Sequence, residues 1–443
     1  MNNFDKLLPL ILLLIFDLSW HGGKQALGCS SPENDDLIFL TYGTIIKAAS
    51  CSQSDVQRAI DSARDGDLVL VPAGTCTWTA GITFSNTRVT VQGAGVDQTT
   101  IIDATGSEYD EVPFIIAGLE GKSFRITGFT FSGGGDTYGI IKILGNCKNW
   151  RIDNCRFHSQ QARAIVVGWY SWTYGLIDHC TFTGESTFSC VLVHADDSTD
   201  WARPLSLGSE KAVYVEDCTF DFKIVNEWNV AIDASFGGRY VFRHNKLTNI
   251  TVATHDICNN PGRSVHSYEI YENSFILDGQ SAYRGMNLRG GTGVIYNNTF
   301  TMVNGGYLQN PIMVANYRSC RKIVDDQCAR HGWDTCDGDS KFDGNLDSTG
   351  YPCLDQIGRT SDINGDGIQD LAPLYEWNNT LNGADTDLTI HTFENCDNSS
   401  VAKHIKENRD YYNDTRKPGY SHYVYPHPLT TAPPRPKNLR IAK

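Results

Sequence analysis

One eight-residue pattern recurs along the chain and limits what it can fold into. It reads FRITGFTF from Phe124, WRIDNCRF from Trp150, GLIDHCTF from Gly175, VYVEDCTF from Val213, YVFRHNKL from Tyr240, YEIYENSF from Tyr268 and GVIYNNTF from Gly293. The starts are 26, 25, 38, 27, 28 and 25 residues apart, and a degenerate copy, LYEWNNTL, begins at Leu374. A period of this size belongs to a solenoid, in which each coil buries its apolar side only by stacking on its neighbours. Within each copy apolar residues alternate, then a two-residue polar step leads to a final Phe or Leu, which is strand, tight turn, strand. Helical repeats would show a 3.6-residue period, and these do not.

Stacked coils place equivalent residues about 4.8 Å apart in parallel ladders. Phe131, Phe157, Phe182, Phe220, Leu247, Phe275 and Phe300 then form one interior column, and Ile126, Ile152, Ile177, Val215, Phe242, Ile270 and Ile295 a second. At the turn, Phe129, Cys155, Cys180 and Cys218 give way to Asn245, Asn273, Asn298 and Asn379, whose amides can bond along the stack. The three ladder cysteines are expected to be buried thiols, because Cys behaves as a small hydrophobe in such a slot. Disulfides are expected elsewhere: Cys51 with Cys76, and some pairing among Cys320, Cys328, Cys336 and Cys353. Composition agrees with a β fold rich in tight turns, since 41 glycines stand beside 4 methionines. With 40% hydrophobic residues the chain is too apolar for disorder, and a net charge of −14 excludes a histone-like nucleic-acid partner.

Residues 7–16, LLPLILLLIF, are too short to span a bilayer and match the core of a signal peptide, with a short anchor as the alternative. Cleavage after the small-x-small stretch Ala26-Leu27-Gly28 would leave Cys29 first, and a lipidated Cys29 stays open. The expected organisation is a signal peptide over 1–28, an N-terminal extension over 29–50, the solenoid over 51–426 with an insertion at 318–373, and a Pro-rich linker-like tail over 427–443. The mature chain is expected to be secreted or at the cell surface, and monomeric. Five N-x-S/T sequons, at Asn249, Asn297, Asn378, Asn398 and Asn413, would matter in a eukaryotic secretory route.

The stretch 55–63 has a helical pattern and would cap the open edge of a stack. It precedes DGDLVLVPAGTCTW from Asp65 and VTVQGAG from Val89, and the later coils include LIDHC over 176–180. This order resembles the pectate-lyase-like right-handed parallel β-helix superfamily over roughly residues 50 to 400. The resemblance implies an all-β, single-stranded solenoid whose members are largely polysaccharide lyases and glycoside hydrolases, with a substrate groove along one sheet. The paired-Asp and RIK-type motifs of polygalacturonases are absent as a set.

A further strand lies between repeats: IIKILG, AIVVGW, VLVHAD, VAIDAS, VATHDI, MNLRGG and IMVANY. Aligned on alternation, its outward position reads Leu144, Gly168, His194, Asp233, His255, Arg289 and Ala315, so four consecutive coils carry titratable groups. Asp196, Asp256, Arg263, His266, Arg284 and Asn287 lie near that column in sequence, while Trp169 and Trp201 at coil ends would stack on sugar rings or pack loops. For a lyase on a uronate, Arg289, with Arg284 or Ca²⁺, would neutralise the sugar carboxylate. His255 or His194 would remove the adjacent proton, with Asp233 fixing tautomers. The overall charge of −14 opposes an acidic polymer at long range, so local cations must dominate.

A hydrolase is the second reading, with Asp196 and Asp256 as the pair of carboxylates it requires. A non-catalytic sugar-binding solenoid is the third. The insertion contains DINGDGIQD, in which Asp362, Asn364, Asp366 and Asp370 have the alternating oxygens of a Ca²⁺ loop, although Pro373 stands where a closing Glu is usual. An Asx-turn loop explains the same residues without a metal.

Overall fold

The computed structural model describes residues 43–441 apart from 86–87, 107–111, 118–121, 134–138, 159–162, 169–171, 186–188, 227–228, 256–262, 316–354, 362–368, 392–404 and 432–437. Parallel strands dominate, in sheets of 13, 11, 6 and 4 strands, and the last two are joined by a bridge between Val230 and Thr251. Each coil contributes one strand to each of three faces, which makes the chain a parallel β-helix. The first face takes strands such as Val213–Glu216, the second takes Thr219–Phe222 and the third Val230–Ala234.

The repeat fixes register on the first two faces. Phe131, Phe157, Phe182 and Phe220 pair in line, as do Leu247, Phe275 and Phe300. Successive rings stack with centroids 5.1, 5.0 and 4.7 Å apart from Phe131 to Phe220, and 4.6 Å between Phe275 and Phe300. The second column runs in register from Ile126 to Ile295 and ends unexpectedly on Glu376, a carboxyl in a slot that holds apolar side chains elsewhere.

At the turn, Cys155, Cys180 and Cys218 are buried free thiols, and burial pushes the Cys155 and Cys180 thiols well above their ordinary pKa. From Asn245 onward each side-chain carbonyl accepts the backbone N–H of the preceding coil. Cys218 N donates to Asn245 at 2.9 Å, Asn245 N to Asn273 at 3.0 Å, Asn273 N to Asn298 at 3.1 Å and Asn298 N to Asn379 at 3.0 Å. The residue before each slot turns through the left-handed region: Asn154, His179, Asp217, His244, Glu272, Asn297 and Asn378 have φ between 49° and 57°. Cys51 and Cys76 form the expected disulfide, whereas Cys320, Cys328, Cys336 and Cys353 lie outside the described residues.

A helix spans Gln53–Asp61, two residues before the expected stretch, because the Ser52 side chain accepts from Asp55 N at its start. Val56, Ala59 and Ile60 join the core. The strand Thr44–Lys47 pairs with Leu68–Leu70, so the sheet begins inside the segment expected to be an extension. On its other edge Thr44–Lys47 pairs with Asn438–Ile441 from the far end of the chain.

The C-terminal segment departs furthest from the sequence reading. His427–Thr431, assigned to a linker, pack on the outer side of the first face. His427 N donates to Glu216 at 2.9 Å, and Arg151 Nη1 donates to the carbonyls of Leu429 and Thr430 at 3.0 and 3.3 Å. Prolines remove donors but leave carbonyls to accept from arginines, so a Pro-rich stretch can dock without pairing as a strand. Beneath this strap Tyr420 joins an outer apolar cluster of Leu176, Tyr214, Val241, Tyr271, Val294, Tyr296 and Trp377.

Candidate functional site

The third face is built by strands including Ile165–Val167, Ser189–Val193, Val230–Ala234, Val252–Ala253 and Ser281–Leu288. Register there differs from the sequence alignment at two steps, the second being the bridge of Val230 to Thr251 where the alignment sets Val252. Leu192, two residues before His194, pairs with Asp233. A two-residue slip keeps every side chain on its own side of the sheet, so alternation cannot detect it. From Val252 onward the alignment holds: Val252 pairs with Met286 and Ala253 with Asn287, a register that continues to His255 beside Arg289.

The structure brings Asp233 and His255 together across neighbouring coils. His255 Nδ1 is 2.8 Å from the Asp233 carboxylate, which also accepts Ala234 N at 2.8 Å. Asp233 is buried, while the His255 side chain keeps 40% of its surface open. Burial alone would raise the Asp233 pKa. The His255 charge and hydrogen bond, with Arg289 and His194 nearby, outweigh it and hold the carboxyl below its ordinary range. An ionised carboxylate at Nδ1 fixes the proton there and leaves the Nε2 lone pair directed away from Asp233.

His194 behaves differently. It is buried, and desolvation pushes its pKa down to about 3, with Arg163 and His255 adding to the shift and Asp233 opposing it. Such an imidazole is neutral at working pH and a weak base. Its ring meets Phe236 edge-on with centroids 4.8 Å apart. Arg289 is anchored through Nε to Thr254 O and through its backbone N to Thr254 Oγ1, both at 2.9 Å. Asn287, on the strand Ser281–Leu288, is buried with no hydrogen-bond partner for Oδ1 among the described residues. Arg284 is also buried.

Two expected sugar contacts are committed to structure. Trp201 is 1% exposed, donates to Ser264 O at 2.9 Å, lies 4.7 Å from the His266 ring and has the Arg263 guanidinium 4.8 Å from its own ring. No face of it remains for a sugar. Arg263 is paired in turn with Asp355 of the insertion, at 2.8 and 2.6 Å. Ser361 donates to Trp201 O, so the insertion and the loop after Asp196 meet in one wall, as their shared position in the coil implies. The backbone N of Asp196 donates to Asp200 at the start of the short helix Asp197–Trp201.

Trp169, Asp256, Asp362, Asn364 and Asp366 lie outside the described residues, and Asp370 is placed by backbone bonds to Thr360 and Ser361. A different acidic group occurs at the C-terminal end of the stack: Glu376, Asp387 and Asp414 bring carboxylate oxygens within 4.8 Å of one another. Burial pushes Glu376 up to about 7, against hydrogen bonds from Asn379 and Asp414 N. The change from Ile to Glu at this position of the degenerate repeat LYEWNNTL is the available sequence signal for it.

No family model matches the chain, and no curated protein matches it. Among solved structures, an alginate lyase from Paenibacillus sp. str. FPU-7 aligns at 14% identity, covering 79% of this chain and 99% of that one, with a TM-score of 0.38. The catalytic domain of a GH87 α-1,3-glucanase in complex with tetrasaccharides aligns at 12% identity over 81% of this chain and 67% of that one, with a TM-score of 0.30. The same kind of domain in complex with nigerose aligns at 12% identity over 86% and 68%, with a TM-score of 0.29. Likenesses of this degree carry no inference about activity.

Proposed function

We propose that the chain is an exported polysaccharide lyase acting on a uronate-containing polymer at the third face. The observation that carries this reading is the Asp233–His255 pair, a half-open imidazole oriented by a buried carboxylate, with Arg289 anchored on the next coil. His255 Nε2 takes the proton on C5 of the uronate. The C5–H electron pair becomes the C4–C5 double bond, the C4–O bond breaks, and the leaving oxygen departs with its pair and is then protonated. Arg289 neutralises the sugar carboxylate so that charge developing at C5 is stabilised. Export is in keeping with the Cys51–Cys76 disulfide, and the insertion with its Ca²⁺-loop spacing belongs to the same proposal as a groove wall.

A glycoside hydrolase is the second reading on this fold. It needs two carboxyl groups serving the sugar, for which the sequence offers Asp196 and Asp256, the latter outside the described residues. The experiment is to incubate the protein with uronate and neutral polysaccharides, following reducing ends together with ultraviolet absorbance. Elimination gives new reducing ends and a conjugated alkene in step. Reducing ends alone would assign hydrolysis, and neither signal on any polymer would leave a binding solenoid.

A further inference from the structure

One level of the third face carries the same backbone rung on coil after coil. Leu144 N donates to Ile116 O at 2.7 Å, Gly168 N to Ile143 O at 3.0 Å, His194 N to Val167 O at 2.8 Å, Ser235 N to Val193 O at 3.1 Å and His255 N to Ala234 O at 2.8 Å. The first four follow directly on the pairs Ile116–Ile143, Ile143–Val167, Val167–Val193 and Val193–Ala234, as a parallel ladder requires. On the next coil Thr254 N donates to Asn287 O at 2.9 Å, so the ladder's following rung would run from Arg289 N to Thr254 O. That rung is diverted. Arg289 N donates to Thr254 Oγ1 at 2.9 Å, and Thr254 O accepts Arg289 Nε instead, also at 2.9 Å.

Residue type explains the diversion. The acceptors on the earlier coils, Ile116, Ile143, Val167, Val193 and Ala234, have no side-chain oxygen, so only their carbonyls can take the rung. Thr254 is fully buried and adds a hydroxyl at that level. Its hydroxyl takes the backbone donor, which releases its carbonyl to the guanidinium. Because a guanidinium is planar, fixing Nε fixes the plane of the whole group. We propose that Thr254 is a positioning residue for the third-face reaction, exchanging a ladder bond for a side-chain bond so that its carbonyl sets the Arg289 guanidinium for the uronate carboxylate. This rests on the lyase reading above. The adjoining His255 reaches back to Asp233 at 2.8 Å, so Thr254 and His255 together hold the base and the neutralising group in fixed relation across consecutive coils.

The test uses the full chain with Thr254→Val, which removes the hydroxyl and keeps the shape, and Thr254→Ser, which keeps the hydroxyl. In Thr254→Val the Arg289 amide falls back on Thr254 O, and Nε loses that acceptor. The Arg289 Nε–H is followed by heteronuclear NMR of arginine-labelled protein, its resonance identified by its loss in Arg289→Lys, and kcat/KM is measured on the uronate polymer cleaved best. Expected in Thr254→Val are faster solvent exchange of that Nε–H and kcat/KM lower by roughly a hundredfold, the scale of a misplaced group. The unfolding temperature should stay close to wild type, since one hydrogen bond to the amide replaces another. Thr254→Ser should restore the protected Nε–H and most of the turnover, and in an Arg289→Lys background Thr254→Val should cost little further, because the two residues act as a unit. Thr254→Ala repeats the comparison without the γ-branch, so a misfolded valine variant does not end the test. Wild-type kcat/KM or a still-protected Nε–H without the hydroxyl would overturn this inference alone and leave the lyase reading standing. An undiminished further loss in the Arg289→Lys background would assign Thr254 to packing and overturn it too. If the parent protein cleaves no uronate polymer, the lyase reading fails and the positioning role with it.

Discussion

The outer sides of the first and third faces carry similar chemistry to different ends. On the first, Arg151 is paired with Asp178 at 2.7 Å, and Arg243 with Glu216 at 2.6 Å, both partners of the latter with no exposed side-chain surface. The strap adds carbonyls of Tyr423 and Val424 to Arg243 at 2.8 and 2.9 Å, and Tyr420 donates its hydroxyl to Glu269. On the third, Asp233 is buried but its partner His255 is half-open. Density of titratable residues therefore does not by itself single out the third face, since the first carries such pairs too. What differs is cover: one set is closed under the chain's own C-terminal segment, and the other leaves an imidazole within reach of solvent.

Perturbing each face should have opposite consequences. Asp233→Asn is expected to lower kcat at least a hundredfold by releasing the His255 tautomer, the scale of general-base contributions, while the unfolding temperature stays close to wild type; steady-state kinetics beside calorimetry checks it. Arg243→Ala leaves Glu216 buried without its cation and should cost about 3–5 kcal/mol in denaturant unfolding, with turnover per folded molecule unchanged. If Arg243→Ala instead abolished turnover at full stability, the contrast between the faces would be wrong. Smaller, and on the turn ladder between the first two faces, Asn273→Ala removes bonds to Asn245 N, Phe242 O and Asn298 and should cost about 1–3 kcal/mol.

The pH dependence should be two-sided. Glu376 is raised to about 7 in the folded chain from 4.5, so the folded state holds that proton more tightly. Its contribution is complete below pH 4.5 and lost as pH climbs through 7, and Glu376→Gln should flatten stability across that window. His194 shifts the other way, to about 3 from 6.5, so stability falls as pH drops from 6.5 toward 3 while the unfolded chain gains the proton. Chemical unfolding across pH 4 to 8 separates the two.

The strands of the first two faces were legible because the eight-residue repeat contains both strands and the turn between them. The Cys-to-Asn turn column was legible for the same reason. The third face lies outside the repeat and rests on alternation alone, which is why His194 was set level with Asp233 when Leu192 is its neighbour. The place of Arg289 is within reach because the alignment holds from Val252 onward, and the contact of Asp233 with His255 survives a bridge of Val230 to Thr251 where the alignment sets Val252. Sequence proximity places Trp201 and Arg263 near the column and leaves open whether Trp201 stacks on sugar or packs loops; their partners, His266, Ser264 and Asp355, come from segments that only the fold assembles. The strap was hidden because docking through carbonyls leaves no side-chain periodicity.

The most direct test of the central claim is turnover and thermal unfolding of His255→Ala, measured side by side on the polymer that the wild type cleaves best. The account predicts at least a hundredfold loss of alkene formation with an unfolding temperature close to wild type, because the His255 side chain is 40% exposed and contributes little to the core. Wild-type turnover in His255→Ala would contradict it and move the chemistry away from the third face.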